Sequence, residues 1–453
     1  MPPTVVFCTT CKGRTNHIER TLPKNLRDNP GTKFVLVDYN SQDHLSTYLA
    51  EKHMEDMIFG QLVVYSYRGE HPFRMAHAKN MAHRCGMLEG ADILVNLDAD
   101  NYAGLGFADY VAEQCTGDSF LWARMVKDGD GRLPKGISGR IAVSRHAFLN
   151  AGGYDEKYET WSPDDKDFTA RLRRLGYEPR EIDPRFLQAI LHTNKLRFRE
   201  YRHAEETALC EESFHRDIFE STATVVNFGN IGCGTVFRNF DFSTPIELKP
   251  VPTRIFGIGM HKTGTTSLHT ALGILGFDSA HWKSARWAKR IWQEMNNGGS
   301  SRTLERSYAL CDLPIPLLYK ELDAAYPGSK FILTVRDEAK WLASVRNHWD
   351  HAKNPFRAKW NDDPFTHKAH KLLYGQKGFD AELFLKRYRR HNDEVWEYFK
   401  ERPEDFQVLD MDVQDSSILA GLDHLKWNHL CRFLDKPIPD VPYPVAFKTG
   451  GGA

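Results

Sequence analysis

Residues 254–268 read RIFGIGMHKTGTTSL. A short apolar run through Ile258 leads into glycines, hydroxyls and one lysine, and a second apolar stretch with helical spacing follows. A loop of this kind between a strand and a helix points backbone N–H groups and the helix dipole at an anion, so the stretch predicts a phosphate site in an α/β domain. It is not the ATP-binding loop GxxxxGK[ST], because Lys262 precedes Gly264.

Strand-like and helix-like stretches alternate on both sides of this loop, which is the pattern of an α/β protein. Apolar runs typical of strands lie at 4–7, 33–37, 62–65, 93–97 and 330–335. Between Phe242 and Thr253 the sequence is rich in proline and has no periodicity, which indicates a linker. We therefore predict two α/β domains, residues 1–245 and 246–453.

The composition narrows the classes of function. Lys and Arg together number 60, as do Asp and Glu, which excludes a protein that binds nucleic acid or an anionic membrane mainly through its net charge. No apolar stretch approaches the ~20 residues of a transmembrane helix, and the first residues lack the basic and apolar segments of a secretory signal. We therefore expect a cytoplasmic protein without a transmembrane segment.

Eight cysteines are scattered over the 453 residues, at 8, 11, 85, 115, 210, 233, 311 and 431. They are too sparse for a disulfide scaffold, so reduced thiols are expected. Cys8 and Cys11 have the C-x-x-C spacing of redox and zinc motifs, but they end an apolar run and no second pair stands at zinc spacing. We interpret both as packing residues.

Carboxylates follow two of the predicted strands in the first domain. Asp38 closes the second strand, and Asp98 and Asp100 come directly after the apolar run at 93–97. In an open α/β sheet the ligand lies at the carboxyl ends of the strands. Two carboxylates at positions i and i+2 can hold a hard divalent cation that neutralises a diphosphate, although solvated aspartates in turns have the same spacing.

Three further blocks follow Asp98-x-Asp100 in order: Gly152-Gly153-Tyr154-Asp155, Trp161-Ser162-Pro163-Asp164-Asp165 and Leu191-His192-Thr193. Together the four blocks resemble the inverting glycosyltransferases of the GT-A fold, both the large family 2 and the galactosyl- and N-acetylgalactosaminyltransferases. The resemblance covers about residues 4–240 and implies a Rossmann-like nucleotide-sugar domain that uses a UDP-sugar as donor.

This resemblance implies roles for residues on the donor side. Asp38 would contact the uracil or the ribose, and Asp98 and Asp100 would carry the diphosphate through Mn²⁺ or Mg²⁺. His192 matches a position that supplies a further metal ligand in some of these enzymes. A histidine at the edge of the core is the alternative for His192.

On the acceptor side, the resemblance implies that Asp165 is the base that removes the proton from the acceptor hydroxyl during in-line attack at the anomeric carbon. Asp164 stands where the family has glutamate and would bind the acceptor, and Trp161 would offer an aromatic face to an acceptor sugar. For the two aspartates, the alternative is a cluster of charges at the N-terminus of a helix.

The loop at 254–268 is similar to the 5′-phosphosulfate loop of sulfotransferases that use 3′-phosphoadenosine 5′-phosphosulfate. Arg336 and Ser344 follow the apolar run at 330–335 and match the 3′-phosphate site of that family. The resemblance spans about residues 253–447 and implies a P-loop-like α/β domain. It implies that the donor is bound by Lys262, Thr263, Gly264, Thr265, Thr266, Ser267, Arg336 and Ser344. A surface ion pair with Asp337 or Glu338 is the alternative for Arg336.

Sulfuryl transfer needs a cation where the leaving phosphate gains charge, and Lys262 is the candidate for that role. His281 and Asp312 are both candidates for the base that activates the acceptor hydroxyl. A histidine, with an ordinary pKa of about 6.5, would be an effective base near neutral pH, whereas an aspartate would need an apolar setting. Both alternatives stay open, as does the group that holds the adenine.

We predict a fusion of two enzymes, a metal-dependent glycosyltransferase and a sulfotransferase, which together build a sulfated glycan or glycolipid. A glycolipid acceptor would bring the chain to a membrane surface. One alternative is that one domain has lost catalysis and only binds a glycan or a nucleotide. Another is an ATP-dependent kinase in the second domain.

Overall fold

The computed structural model describes residues 2–70, 72–124, 137–158, 163–190, 218, 221–349, 364–376, 378–413 and 425–445. The chain divides into two compact units, residues 1–251 and 252–453. Each unit contains a sheet with helices, so the predicted α/β fold class is confirmed. Within the described part of the chain, no helix combines the length and the apolar character needed to cross a membrane.

Eleven strands are described in the N-terminal unit: β1 Val5–Cys11, β2 Lys33–Tyr39, β3 Leu62–Tyr67, β4 Ile93–Asn96, β5 Asn101–Tyr102, β6 Ser119–Trp122, β7 Ile141–Ser144, β8 Glu178–Glu181, β9 Gln188–Ala189, β10 Gly234–Arg238 and β11 Pro245–Leu248. Nine of them form one sheet in the order β11-β10-β3-β2-β1-β4-β7-β6-β8. The described helices are α1 Thr15–Asp28, α2 Leu45–Lys52, α3 Met54–Ile58, α4 Met75–Leu88, α5 Phe107–Gln114, α6 Arg145–Asn150 and α7 Asp164–Arg174.

Both faces of this sheet are covered. Val5 and Phe7 pack into one apolar cluster, and the alternate residues Val6 and Cys8 pack into another. A parallel strand that is buried on both faces must be apolar throughout, which explains the continuous apolar run of β1. Cys8 and Cys11 are buried, unbridged thiols, and burial raises the pKa of both.

The strand order determines where a ligand can bind in this unit. Strands β3, β2, β1 and β4 are parallel, and β1 lies between β2 and β4. The carboxyl ends of these strands therefore meet at one edge, where the strand order reverses. Asp38 pairs in register with Cys11 at that edge, and Asp98 and Asp100 follow β4 there.

The C-terminal unit has a five-stranded, fully parallel sheet in the order β13-β14-β12-β15-β16. Its strands are β12 Ile255–Gly257, β13 Ser279–His281, β14 Ala309–Cys311, β15 Lys330–Val335 and β16 Phe406–Asp410. Its described helices, numbered on from α7, are α8 Thr265–Ile274, α9 Ala285–Gly298, α10 Arg302–Glu305, α11 Tyr319–Ala325, α12 Glu338–Trp349, α13 Pro364–Tyr374, α14 Ala381–Phe399 and α15 Leu425–Leu434.

Local sequence explains the helices that pack on this sheet. In α9, the Ser284 hydroxyl accepts a hydrogen bond from the backbone N–H of Trp287, and Ala288, Ile291 and Met295 form a buried stripe at helical spacing. The helix ends at Gly299, whose positive φ of 67° suits a residue without a Cβ. Strand β12 lies between β14 and β15, so the loop that follows it stands where the order of this sheet reverses.

Candidate functional site

A buried lysine lies at the centre of the N-terminal site. Lys79 Nζ donates to Asp164 Oδ2 at 2.7 Å and to Asp165 Oδ1 at 2.5 Å. The lysine side chain is 2% exposed, and it comes from α4, whereas both aspartates begin α7. A buried charge must be paired, so this contact holds the two elements together.

A glycine allows the carboxylates of Asp98 and Asp165 to approach each other. A Cβ added at Gly139 would lie 2.6 Å from Asp98 Oδ2 and 3.2 Å from Asp165 Oδ2. The Gly139 carbonyl accepts a hydrogen bond from Asn96 Nδ2 at 2.7 Å, and the same nitrogen donates to Asp98 Oδ1 at 3.0 Å. The absence of a side chain at 139 therefore leaves room where these two carboxylates converge.

Arg140 places a second buried cation beside Asp98 and Asp100. The residue has no exposed surface, and its Nη2 donates to Asn101 Oδ1 at 2.9 Å and to the Gln188 carbonyl at 3.0 Å. Its Nε and Nη1 have no hydrogen-bond partner among the described residues. Burial lowers the pKa of Arg140 to about 10, while the charges of Asp98 and Asp100 act in the opposite direction.

These groups carry an excess of negative charge. Burial lowers the pKa of Lys79, but Asp164, Asp165 and Asp98 outweigh it and hold that pKa well above its ordinary value. Burial raises the pKa of Asp98 and raises that of Asp164 to about 7; Lys79 acts in the opposite direction, and the neighbouring carboxylates add to the rise. When all are ionised, the four carboxylates of Asp98, Asp100, Asp164 and Asp165 exceed the two cations by two charges.

Three further residues of this unit, Asp38, Trp161 and His192, were predicted to take part in the site. Asp38 is buried at the end of β2, where it accepts hydrogen bonds from Arg68 Nη1 at 3.1 Å and from the backbone N–H of Ser41 at 2.8 Å. Its contact with the uracil or the ribose stays a prediction. Trp161 and His192 lie outside the described residues.

The loop between β12 and α8 contains two residues with positive φ angles. Lys262 has a φ of 67° and Gly264 a φ of 95°, so both are left-handed, which is uncommon for a lysine. Thr263 Oγ1 donates to the Met260 carbonyl at 2.7 Å and contacts Thr334 Oγ1 at 2.6 Å. Gly264 precedes the first turn of α8, which begins with Thr265, Thr266 and Ser267.

Arg336 joins this loop to the end of β15. Its Nη1 donates to the Lys262 carbonyl at 3.2 Å, and its Nε lies 3.7 Å from Asp412 Oδ2. Glu338, one of the two residues considered for an ion pair with Arg336, accepts two hydrogen bonds from Arg389. Ser344 lies half-buried on α12.

The two candidates for the sulfotransfer base are in contact. His281 ends β13 and Asp312 directly follows β14, and His281 Nε2 lies 3.4 Å from Asp312 Oδ2. His281 Nε2 also lies 3.1 Å from Thr265 Oγ1 and 3.3 Å from Thr266 Oγ1. On the other side of the carboxylate, His261 Nε2 of the loop lies 3.3 Å from Asp312 Oδ1.

The sequence interpretation missed four residues of these sites, namely Lys79, Arg140, His261 and Tyr374, whose hydroxyl lies 3.1 Å from His261 Nδ1. Lys79 lies in a helix whose other residues are mostly buried, and a lysine in such a position is a signal that a partner exists. His261 stands directly before Lys262 in the donor loop. Nothing in the local sequence singles out Arg140 or Tyr374.

Comparison with known proteins agrees with this description of the C-terminal unit. Residues 254–450 match the family described as "Sulfotransferase domain". A curated protein of Aspergillus versicolor, "Ava biosynthesis cluster protein M", is 25% identical over 223 residues, which are 42% of this chain and 79% of that protein.

Two solved glycosyltransferase structures are similar at low scores. The mannosyltransferase PcManGT from Pyrobaculum calidifontis, in complex with GDP-Man and Mn²⁺, has a TM-score of 0.36 and 17% identity, with 49% of this chain and 66% of that chain covered. GalNAc-T7 with UDP, GalNAc and Mn²⁺ has a TM-score of 0.32 and 14% identity, with 40% and 42% covered. From the family match, residues 254–450 of this chain are a sulfotransferase domain that follows a separate α/β unit.

Proposed function

We propose that the chain is a bifunctional transferase. The C-terminal unit transfers a sulfuryl group from 3′-phosphoadenosine 5′-phosphosulfate to a sugar hydroxyl, and the N-terminal unit transfers a sugar from a UDP-sugar to a glycan or glycolipid acceptor. The observation that carries this proposal is that each sheet brings, to the edge where its strand order reverses, the charged groups that one of the two reactions needs. A cytoplasmic location and contact with a membrane through the acceptor belong to the same proposal.

Sulfuryl transfer follows from the groups around the donor loop. The acceptor oxygen attacks sulfur, the bond between sulfur and the bridging oxygen breaks, and its electron pair goes to the phosphate of adenosine 3′,5′-bisphosphate. The Lys262 ammonium and the N-terminus of α8 stabilise that charge. The acceptor proton goes to the base, for which His281 and Asp312 are the candidates. Arg336 and Ser344 would hold the 3′-phosphate and so exclude donors that lack it.

The described residues hold no group of three or more His, Cys, Asp or Glu side chains arranged around a metal position, so the divalent cation of the N-terminal site is part of the proposal. The oxygen donors of that site are hard, its carboxylates exceed its cations by two charges, and Gly139 leaves space where Asp98 and Asp165 converge. Asp98 and Asp100 would hold Mn²⁺ or Mg²⁺, with His192 as the predicted further ligand. When bound, the cation would neutralise the diphosphate as it leaves.

Sugar transfer then depends on the side chains of this chain. The acceptor oxygen attacks the anomeric carbon on the face opposite the diphosphate, the bond from that carbon to the diphosphate oxygen breaks, and Asp165 takes the acceptor proton. Lys79 orients the Asp165 carboxylate through its 2.5 Å hydrogen bond. Asp164, on the same ammonium, would bind the acceptor, and Asp38 would bind the nucleoside. Trp161 would face the acceptor sugar.

Mass spectrometry of reaction products tests both activities. A panel of UDP-sugars and acceptors is incubated with the full chain, with and without the sulfate donor, and then with EDTA. We expect EDTA to abolish sugar transfer and to spare sulfation of a preformed acceptor, because only the N-terminal site is proposed to use a divalent metal ion. Equal loss of both activities would contradict the assignment. Nucleotide binding without sugar transfer would make the N-terminal unit a binding module, and transfer of phosphate from ATP would make the second unit a kinase.

A further inference from the structure

Four side chains of the C-terminal unit are connected by short contacts. Tyr374, at the end of α13, places its hydroxyl 3.1 Å from His261 Nδ1. The other nitrogen of His261, Nε2, lies 3.3 Å from Asp312 Oδ1. The second oxygen of Asp312 lies 3.4 Å from His281 Nε2. The series runs from the buried face of α13 through the loop after β12 to the end of β13.

The protonation states in this series can be assigned from the surroundings. Burial raises the pKa of Tyr374 well above its ordinary value, and the charge of Asp312 adds to this, so the hydroxyl keeps its proton and can donate to His261 Nδ1. The proton of the His261 ring then lies on Nε2, the nitrogen that faces Asp312 Oδ1 at 3.3 Å. Asp312 Oδ1 also accepts from the backbone N–H of Leu313 at 2.8 Å.

We infer that His281 and Asp312 are not alternatives, but that Tyr374, His261 and Asp312 position His281, which takes the proton of the sulfate-accepting hydroxyl. The inference rests on the sulfotransfer function proposed above. His281 Nε2 lies 3.4 Å from Asp312 Oδ2, within ion-pair distance of the carboxylate, so Asp312 favours the imidazolium that forms when His281 takes the proton. The Asp312 carboxylate balances the positive charge that forms on the His281 imidazole. His261 and Tyr374 are positioning residues, because they act through Asp312.

The position of His281 fits this role. The hydroxyls of Thr265 and Thr266, which begin the helix after the donor loop, contact the same His281 nitrogen, so the imidazole lies beside the predicted phosphosulfate. A second titratable group beside His281 in the described structure is His269 on α8, with ring centroids 5.7 Å apart. Burial lowers the pKa of His269, and the neighbouring His281 lowers it further, while Asp278 acts in the opposite direction.

The group behind His261 is also neutral at working pH. The ring of His370 lies 5.5 Å from that of His261, and burial lowers the pKa of His370 to about 3, with His261 contributing. His370 therefore adds no charge to the series near neutral pH. The carboxylate that the imidazoles of His261 and His281 both face is that of Asp312.

Steady-state sulfation by the full chain, at saturating donor and over a range of pH, tests the inference. We expect His261→Ala to lower kcat about 10- to 100-fold, Tyr374→Phe about 3- to 10-fold, and His261→Gln, whose amide can still donate to Asp312, to stay within about threefold of wild type. Asp312→Asn removes the anion, so the rise of kcat with pH should move to lower pH. His429→Ala, an exposed histidine of α15, is the matched control.

Two further measurements distinguish positioning from folding. The affinity for adenosine 3′,5′-bisphosphate should stay within about threefold in every variant, and the losses from His261→Ala and Asp312→Asn should be far less than additive. Near-normal turnover in His281→Ala, additive losses, or a His261→Ala variant that behaves like His429→Ala would overturn the inference. An inactive wild-type chain would instead show that the proposed sulfotransfer itself is wrong, and the inference would fall with it.

Discussion

At the scale of single residues, buried charged side chains mark the N-terminal site. Lys79 is buried against two carboxylates at hydrogen-bond distance, and Arg140 is buried with two nitrogens that have no described partner. Burying such groups is costly unless each charge is compensated, so their presence indicates a use beyond stability. Lys262 carries a different mark, a left-handed backbone that a lysine adopts only when its surroundings enforce it.

Lys262→Ala tests the role of that lysine in sulfation. Removing one preorganised cation from the leaving phosphate should lower the sulfation rate by about 10²- to 10³-fold. Sugar transfer should persist, because it belongs to the other unit. Product formation is measured by mass spectrometry, with Lys289→Ala, an exposed lysine of the same unit, as the control. If sulfation persisted in Lys262→Ala while glycosylation collapsed, the donor loop would be misassigned.

His83 predicts how acid destabilises the N-terminal unit. It is fully buried, its Nε2 has no hydrogen-bond partner among the described residues, and burial lowers its pKa to about 4. In the unfolded chain the histidine pKa is about 6.5, so that chain binds the proton at a higher pH than the folded chain. The contribution of neutral His83 to the free energy of unfolding is therefore fully present above pH 6.5 and falls by about 3 kcal/mol as the pH drops to about 4.

Urea unfolding across this pH range measures that loss. The glutamine of His83→Gln cannot be protonated. The slope of its unfolding free energy against pH should therefore be smaller than that of wild type between pH 6.5 and pH 4, by the equivalent of up to about one bound proton. His44→Gln, at an exposed histidine of the same unit, should leave the slope close to that of wild type. An unchanged slope in His83→Gln would mean that other groups cause the acid sensitivity.

At the scale of elements, the loops that follow the strands carry the chemistry. The loop after β4 presents Asp98 and Asp100, and Gly139 stands just before β7, the strand that pairs antiparallel with β4. In the other unit, the residues after β12, β14 and β15 include Lys262, Asp312 and Arg336. Because the central strands are short and buried, the positions of these loops relative to one another are set by the sheet.

Gly139→Ala tests the proposed cation site at this scale. The new Cβ would lie 2.6 Å from Asp98 Oδ2, closer than van der Waals contact allows, so the carboxylate must move. We expect the affinity for Mn²⁺, measured by titration calorimetry on the full chain, to fall at least about tenfold, with the unfolding midpoint followed separately. Gly298→Ala, where a Cβ meets no atom within 4 Å, is the control. Unchanged Mn²⁺ affinity would show that Asp98 is not a ligand.

At the scale of the whole molecule, each unit has an apolar core of its own. The N-terminal clusters include Val35, Tyr65 and Phe168, and the C-terminal ones include Phe256, Leu310 and Trp341. The first sheet extends beyond residue 245, because β11 pairs with β10 and buries Leu248. The compact unit continues to Val251.

Separation of the two units is therefore predicted to succeed when the cut follows residue 251. Chains of residues 1–251 and 252–453 should each be soluble and unfold in a single urea transition, because each keeps its sheet and core. A chain ending at 245 should unfold at lower urea, because it loses most of β11 and the hydrogen bond from Arg84 Nη1 to the Lys249 carbonyl. Loss of solubility in both halves would contradict the prediction of independent domains.

The sequence alone determined the features that neighbouring residues encode. The α/β class, the glycine- and threonine-rich loop around Lys262 and the acidic pair Asp98 and Asp100 each depend on a short stretch, in which strand, loop and side-chain chemistry are read together. The sulfotransferase domain was predicted from that loop together with Arg336, and the family match confirms it.

Only the tertiary structure decided which distant groups work together. Lys79 and Asp165 are 86 residues apart in the chain, and Tyr374 and His261 are 113 residues apart. The local sequence does not identify the partner in either pair, because Lys79, Asp165 and Tyr374 lie on helices whose packing is set by the whole unit. For the same reason the sequence left His281 and Asp312 as alternatives, whereas the adjacency of β13 and β14 brings them to 3.4 Å.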